Sequence, residues 1–405
     1  MQDNLDNDQN IIEELSGQAI QNFNQELINF EQKIFQSIEQ HFQNIENTIN
    51  EKLANFKDEV ENNVIKETDE GLRKKVIDLK ELDNPPLINL SKLNNSNYLI
   101  NLILLYLSNI DKLTLYFLKP KHEEKILKKS KEDPTGKYLA PLFLKLLDHL
   151  WKSTKKDYAP IEIHKELKVL MKTEEYDSIN PGTIINFIVF QLNNELNFNT
   201  NIINEPEWNY DKNKAKENFV NYYRNIKNEI TDEFFSSIKI KKFTQNNNFI
   251  FLYKFNIVFD LYLDNSNSKT LSLENNFKEL YFGNRDKNKY CKQNEQLISK
   301  EVYTIPKILI INIIRNKNNK QILNYPKVLE DRYILGNPNF QPQQYELNAV
   351  IINKNENNKD IFYAYIKSFV NKKWYLYNSK GIYDVFNENE IKDGENSILL
   401  IYQQK

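Results

Sequence analysis

Between positions 38 and 64, apolar residues fall at Ile38, Phe42, Ile45, Ile49, Leu53, Phe56, Val60 and Val64, spaced by threes and fours. The rhythm closes on itself every eleven residues, which draws one apolar stripe along a nearly straight or slightly right-handed α-helix. Only Gly17 and Gly71 interrupt residues 11–80, and no proline does, so an unbroken helix would reach roughly 100 Å. A single stripe of that length needs a surface to cover it. The expectation is a coiled coil, with another chain or with a second copy. Pro85 and Pro86 end the pattern, because the residue before a proline is pushed out of the α region. Residues 1–87 therefore read as a helical, coiled-coil extension closed by a proline-containing linker, and 88–405 as a separate domain.

The domain begins with helical periodicity, over 97–118, 137–153, 162–173, 181–197 and 213–236. The period then changes to that of strands: "SIKIKKFTQ", "FIFLYKFNIVFDLYL", "KILIINIIRN", "YELNAVIIN", "IFYAYIKSF", "KWYLYN" and "SILLIYQ". Helices first and antiparallel strands second predict an α+β domain, with a helical part over 88–235 and a β part over 236–405.

Composition narrows the chemistry. A net charge of -2 supplies no global field for nucleic acid or an anionic membrane. The one cysteine, Cys291, excludes an internal disulfide framework and any cysteine-rich zinc site. The four histidines, at 41, 122, 149 and 164, leave none downstream for a mechanism that needs a C-terminal histidine base. No phosphate-binding or dinucleotide loop is present, so no cofactor or metal is expected. The longest apolar run, "YLINLILLYL", is broken by Asn101 and falls short of the roughly 18 residues of a membrane span. The acidic, polar "MQDNLDNDQN" start is unlike a signal or transit peptide, so an intracellular protein, cytoplasmic or nuclear, is expected. Individual residues take plain readings. Cys291 reads as a structural or surface thiol, and His149 and His164 as core-edge or surface histidines. Asp260 and Asp264 read as solvated strand-end charges, and Lys125 to Lys129 as a solvated face.

The C-terminal half carries an ordered series of landmarks: "TIPKILIINIIRN" ending near Arg315, "QILNYPKVLEDRYI", "YELNAVIIN", "DIFYAYIKSFVNKKWYLYN" and "ENSILLIYQ". Together with "NNSNYLINLILLYLSNIDKLTLYFL" at 94–118, the series resembles the catalytic domain of the ubiquitin-specific proteases. These are cysteine proteases that cleave ubiquitin from its conjugates. The resemblance covers about 88–405 and implies a papain-like fold: a helical thumb and an antiparallel β palm with fingers.

It also implies positions for the catalytic groups, and here the sequence departs from the family. The cysteine position falls on Tyr98, or on Asn97 with a one-residue shift. The histidine position falls on Ile361, and the orienting position on Asn378, followed by Ser379. The family's "QDA.EF" segment appears as Gly182 to Phe187 without its Asp or Glu, and the paired cysteines of the fingers are absent. The resemblance thus implies a pseudoenzyme. The expected function is a structural or scaffolding interaction subunit of a larger assembly, docking through the stripe residues and the protease-like domain. One alternative is a non-catalytic module binding ubiquitin or a ubiquitin-like protein. Another is an inactive homologue of the spliceosomal type, suggested by "LFLKLLDHLW".

Overall fold

The computed structural model describes residue 40 and residues 88–405, except for 92–97, 133–137, 154–156, 174–178, 198–204, 244–247, 264–269, 282–290, 294–295, 316–320, 331–342, 357–358 and 386. The expected coiled-coil stripe, from Ile38 to Val64, and Asn97 lie outside the described residues. Of the two units of the chain, Met1–Lys75 and Val76–Lys405, every element below belongs to the second.

Among the described residues, the first half is built from β1 (Asn89–Leu90), α1 (Leu99–Leu107), α2 (Asp111–Leu118), α3 (Pro120–Glu132), α4 (Leu139–Lys152), β2 (Asp157–Tyr158), α5 (Ile161–Met171), α6 (Pro181–Leu196), α7 (Lys212–Ile226) and α8 (Glu229–Phe234). The second half holds β3 (Ser236–Phe243), β4 (Phe249–Asn256), β5 (Val258–Leu263), β6 (Thr270–Ser272), α9 (Leu273–Tyr281), β7 (Cys291–Gln293), β8 (Gln296–Thr304), β9 (Ile308–Arg315), β10 (Ile322–Asn324), β11 (Val328–Glu330), β12 (Gln344–Glu356), β13 (Lys359–Lys367), β14 (Trp374–Asn378), β15 (Gly381–Asp384) and β16 (Ser397–Gln404).

An eight-stranded sheet runs β15-β14-β13-β12-β16-β9-β5, with β11 paired to β12 off this path. Its β5–β9 pair is parallel, and the pairs from β9 round to β15 are antiparallel. Both faces are covered, so the central strands read as nearly continuous apolar runs. Ile308, Ile310, Ala349, Ile351, Ala364, Ile366, Leu399 and Ile401 enter the core built on the helices. Their alternating neighbours Leu309, Ile311, Val350, Ile352, Tyr365, Leu400 and Tyr402 enter a second core with Phe277 of α9, Leu323 and Tyr325.

Three sequence expectations need correction. The helix expected over 97–118 breaks at 108–110, where the Ser108 carbonyl accepts from Thr114 Oγ1 (2.8 Å) and Trp151 Nε1 (3.0 Å) instead of continuing the helical ladder. The helix expected over 213–236 ends at Ile226. Asn228 then starts α8 with a capping box: its side chain accepts from Ile230 N and Thr231 N, and Thr231 Oγ1 accepts from Asn228 N. Finally, "FIFLYKFNIVFDLYL" is two strands in two sheets. β4 joins the four-stranded sheet β4-β3-β8-β7, while β5 pairs with β9.

The four-stranded sheet has α7 against one face. Ala215 and Phe219 of α7 are buried with Tyr253 and pack against Phe251 and Phe255. Among the described residues no single helix is long and apolar enough to cross a membrane.

Candidate functional site

Helix α1 is buried along its whole length and apolar except for Asn101, so it is the axis of the helical core. Its first turn is where a nucleophilic thiolate would sit, since the unpaired N–H groups and the positive end of the helix dipole favour an anion. Tyr98 occupies that turn. It is buried, its hydroxyl donates to Asn89 Oδ1 of β1 at 3.1 Å, and burial raises its ionisation above the ordinary tyrosine range. Tyr377 of β14 belongs to the same core, and burial likewise raises its ionisation, with the Tyr375 and Tyr98 hydroxyls adding to the effect. The start of α1 is therefore lined by neutral phenols.

Ile361 and Asn378 do not join Tyr98. Along β13, Phe362, Ala364 and Ile366 face the helical core, while Tyr363 and Tyr365 face the second core. Two-residue alternation puts Ile361 on the second face, where it is 40% exposed. Along β14, Tyr375 and Tyr377 face the helices and Trp374 and Leu376 face away, so Asn378 also points away. Asn378 Oδ1 accepts from Lys380 N (2.8 Å) and Gly381 N (3.2 Å) and closes the β14–β15 turn. Phe362, one residue beyond Ile361, is on the face that packs against the helical core.

The described histidines all sit in the helical half. His122 Nδ1 donates to Tyr116 O at 2.9 Å and stacks on the Tyr116 ring, and burial lowers its pKa. The His149 ring lies against Tyr158 at 4.3 Å. His164, expected at the surface or core edge, is instead 4% exposed. Its Nε2 donates to Asn101 Oδ1 at 2.8 Å, and Asn101 Nδ2 donates to Leu90 O (3.2 Å) and Ser91 O (3.1 Å). One amide thus ties α1 to α5 and β1, and Tyr98 adds a further bond to β1. Cys291 opens β7 in the four-stranded sheet.

Two polar clusters escaped the sequence reading. Asn312, buried in the centre of β9, donates from Nδ2 to Asn180 Oδ1 (2.8 Å) and Asp260 Oδ1 (2.7 Å). Asp260 is therefore bonded within β5 rather than being a solvated strand-end charge. A Cβ on Gly182 would lie 2.6 Å from Asn312 Cγ. A side chain at the start of α6 would meet a partner fixed from two sides, so Gly182→Ala is expected to lose about 1–3 kcal/mol of stability in urea unfolding. Combined with Asn312→Ala the loss should fall well below the sum of the singles. In the other cluster, buried Glu233 of α8 receives Lys112 of α2 (3.0 Å) and Lys307 beside β9 (2.8 Å). That carboxylate fastens the helical part to the sheet. An isolated Asn within an apolar strand and a Gly after the Asn-Pro helix start were the available signals, but no sequence spacing links them.

The family model for ubiquitin carboxyl-terminal hydrolase matches residues 88–402. No curated protein matches the chain. Among solved structures, the chain is similar to a chain of the Ubp8–Sgf11–Sgf73–Sus1 SAGA DUB module, with 17% identity and a TM-score of 0.56 over 84% of this chain and 73% of that one. It is also similar to a chain of the yeast SAGA DUBm with an Sgf73 mutant, with 15% identity and a TM-score of 0.55 over 83% and 72%. A third similar chain comes from the module bound to monoubiquitin, with 14% identity and a TM-score of 0.54 over 84% and 74%. At these identities the likeness is one of fold.

Proposed function

Because the chain belongs to the ubiquitin carboxyl-terminal hydrolase family, we propose that it keeps the fold of these hydrolases without their chemistry and acts as an interaction subunit of a larger assembly. One observation carries the reading: the chain has a single cysteine, Cys291, and no histidine after His164. Thiolate attack at the start of α1 and proton transfer from β13 both lack their residue. The buried phenol of Tyr98 supports the same reading, since a neutral tyrosine bonded to β1 is neither an activated nucleophile nor free to move into a cleft. The extension 1–87 and the domain 88–405 are the two docking elements in this reading. Incubation of the full chain with ubiquitin carrying a C-terminal electrophile is expected to give no covalent adduct, and ubiquitin-coumarin substrate no turnover. An adduct that disappears in Cys291→Ser would overturn the proposal.

A second reading is a non-catalytic ubiquitin-binding module. It is favoured by the fold likeness to a chain of a module bound to monoubiquitin. It is weakened by the loss of the acidic residues in Gly182 to Phe187, which would have faced ubiquitin's basic tail. Titrating the same preparation with ubiquitin separates the two. Saturable binding supports the module, and none up to about millimolar (weaker than about -4 kcal/mol) rejects it.

A further inference from the structure

Among the described residues, the eight-stranded sheet ends at β15. Register pairs Tyr375 with Asp384, Leu376 with Tyr383, Tyr377 with Ile382 and Asn378 with Gly381. One residue further on, Val385 N donates to Trp374 O at 3.1 Å. Hydrogen-bonded and non-bonded pairs alternate along an antiparallel ladder, so Gly381 and Tyr383 turn their backbone groups toward β14. Ile382 and Asp384 turn theirs outward, and among the described residues those groups meet no backbone partner. Strand edges are commonly blunted by proline, lysine or a bulge. Gly381–Asp384 holds none of these, and its one charge is the acidic Asp384.

Alternation gives the edge two chemically distinct sides. Tyr383 rises on the outer face and is 48% exposed. Its ring lies back along the strand, because a Cβ on Gly381 would stand 3.4 Å from its hydroxyl. On the other side Ile382 packs against the helical core, and Asp384 is exposed. The surrounding charge is mostly of one sign: residues 379–395 carry Asp384, Glu388, Glu390, Asp393 and Glu395 against Lys380 and Lys392. Glu388 pairs with Lys327, and Asp393 accepts from Asn396 N. Glu390 is exposed on the 3-10 turn Glu388–Ile391. It acts on the outer-face row of Tyr365, Leu376 and Tyr383: burial raises the ionisation of Tyr365, and the Glu390 and Asp393 charges raise it further. Tyr365 stands two strands, about 10 Å, from Tyr383.

We propose that the β15 edge takes up an extended basic segment of a partner protein as a further strand. The segment bonds through its backbone to Ile382 and Asp384, lays an arginine on the Tyr383 ring, and turns other cations toward Asp384 and Glu390. Strand addition satisfies the edge groups without rearranging the sheet. An exposed phenol ring attracts a guanidinium, and the acidic surround sets the sign of the partner. The same sign disfavours other occupants. A second copy would bring Asp384 and Glu390 against their own counterparts, and a nucleic acid would set phosphates beside carboxylates. So short an edge leaves discrimination to the side chains, which is why the ring and the charges belong to the site. The proposal deepens the interaction role above and rests on it, naming the partner's chemistry. Its test reads binding at this edge alone, so its failure leaves the wider role standing.

The probe is a fluorescein-labelled peptide that alternates arginine with valine, titrated by anisotropy into the full chain. Saturable binding is expected, and amide exchange at Ile382 and Asp384 should slow about tenfold at saturation. The combined Asp384→Lys and Glu390→Lys changes should weaken binding about tenfold, while Glu217→Lys on α7 leaves it unaltered. Tyr383→Ser should weaken it about threefold. Each variant is compared only with an unchanged melting profile. A control on the unaltered protein uses the same peptide N-methylated at alternate residues, which keeps its charge but loses the strand pairing. It should bind about tenfold more weakly. A peptide alternating glutamate with valine should not bind. The proposal is overturned if the arginine peptide does not bind, if its N-methylated form binds equally well, or if the two edge amides exchange unchanged. It is also overturned if their protection rises with protein concentration in the absence of peptide, which would give the edge to a second copy.

Discussion

Replacing Asn101 by alanine is expected to remove about 3–5 kcal/mol of folding stability and to lower the melting temperature by about 5–10 °C. The amide makes three hydrogen bonds inside the helical core: two donated to Leu90 O and Ser91 O, and one accepted from His164 Nε2. Alanine leaves two carbonyls and one ring N–H without that partner where water has little access, and each orphaned group costs about 1–3 kcal/mol. Asn101→Leu should fare no better, because extra apolar volume cannot pair the orphans. Asn101→Asp should be worse, since it exchanges a donor for a charge facing two carbonyl oxygens. The damage should spread toward the start of α1. β1 is held there by the Tyr98–Asn89 bond and by its parallel pairing to β2, Asn89 to Asp157 and Leu90 to Tyr158. Urea unfolding of the alanine variant measures the effect, and a loss below about 1 kcal/mol would contradict this account of the core.

That cluster also marks where sequence reasoning reaches its limit. Period-two and period-3.6 patterns located β9, β12, β13, β14 and β16 and the helices around 139–152, 161–171 and 181–196, because burial on one or two faces writes itself directly into residue order. The same patterns could not see that one apolar string, 249–263, serves two sheets, because alternation gives the face of a strand and not its neighbour. The break after Leu107 depends on Trp151 and Thr114 reaching the Ser108 carbonyl, a tertiary event. The break before Asn228 was legible in principle, since Asn228 and Thr231 form a cap signature, but an amphipathic run on both sides masked it. The candidate site divides in the same way. The residue types at 98, 361 and 378 were readable from the resemblance, whereas their placement on different faces required the alternation of β13 and β14 in three dimensions. His164 was misjudged because a histidine between Ile163 and Lys165 looks like a surface residue until Asn101, far away in sequence, is brought to it.

Acid should therefore weaken this protein through His164 in particular. Burial lowers its pKa from 6.5 to about 4, with the nearby Lys168 charge acting in the same direction. A histidine depressed in the folded state is charged in the unfolded chain first. Its contribution is fully present above pH 6.5, declines as pH falls from 6.5 toward 4, and changes no further below that. Between pH 7.5 and pH 5 the expected loss is about 2 kcal/mol from this group. His122 is lowered by burial too and adds in the same direction, whereas the raised carboxyl of buried Glu195 works the other way at the acid end. The comparison that isolates His164 is therefore wild type against His164→Gln, whose side-chain amide can still donate to Asn101 Oδ1 but carries no titrating group. Both proteins share the other groups, so the difference between their unfolding free energies, measured in urea, should shift by about 2 kcal/mol in favour of the glutamine variant on going from pH 7.5 to pH 5. A difference that stays constant across that range would mean that the folded protein admits a charged imidazole at position 164. The hydrogen bond to Asn101 would then be made by a cation, and the core around α1 would be considerably wetter than its buried leucines and isoleucines imply.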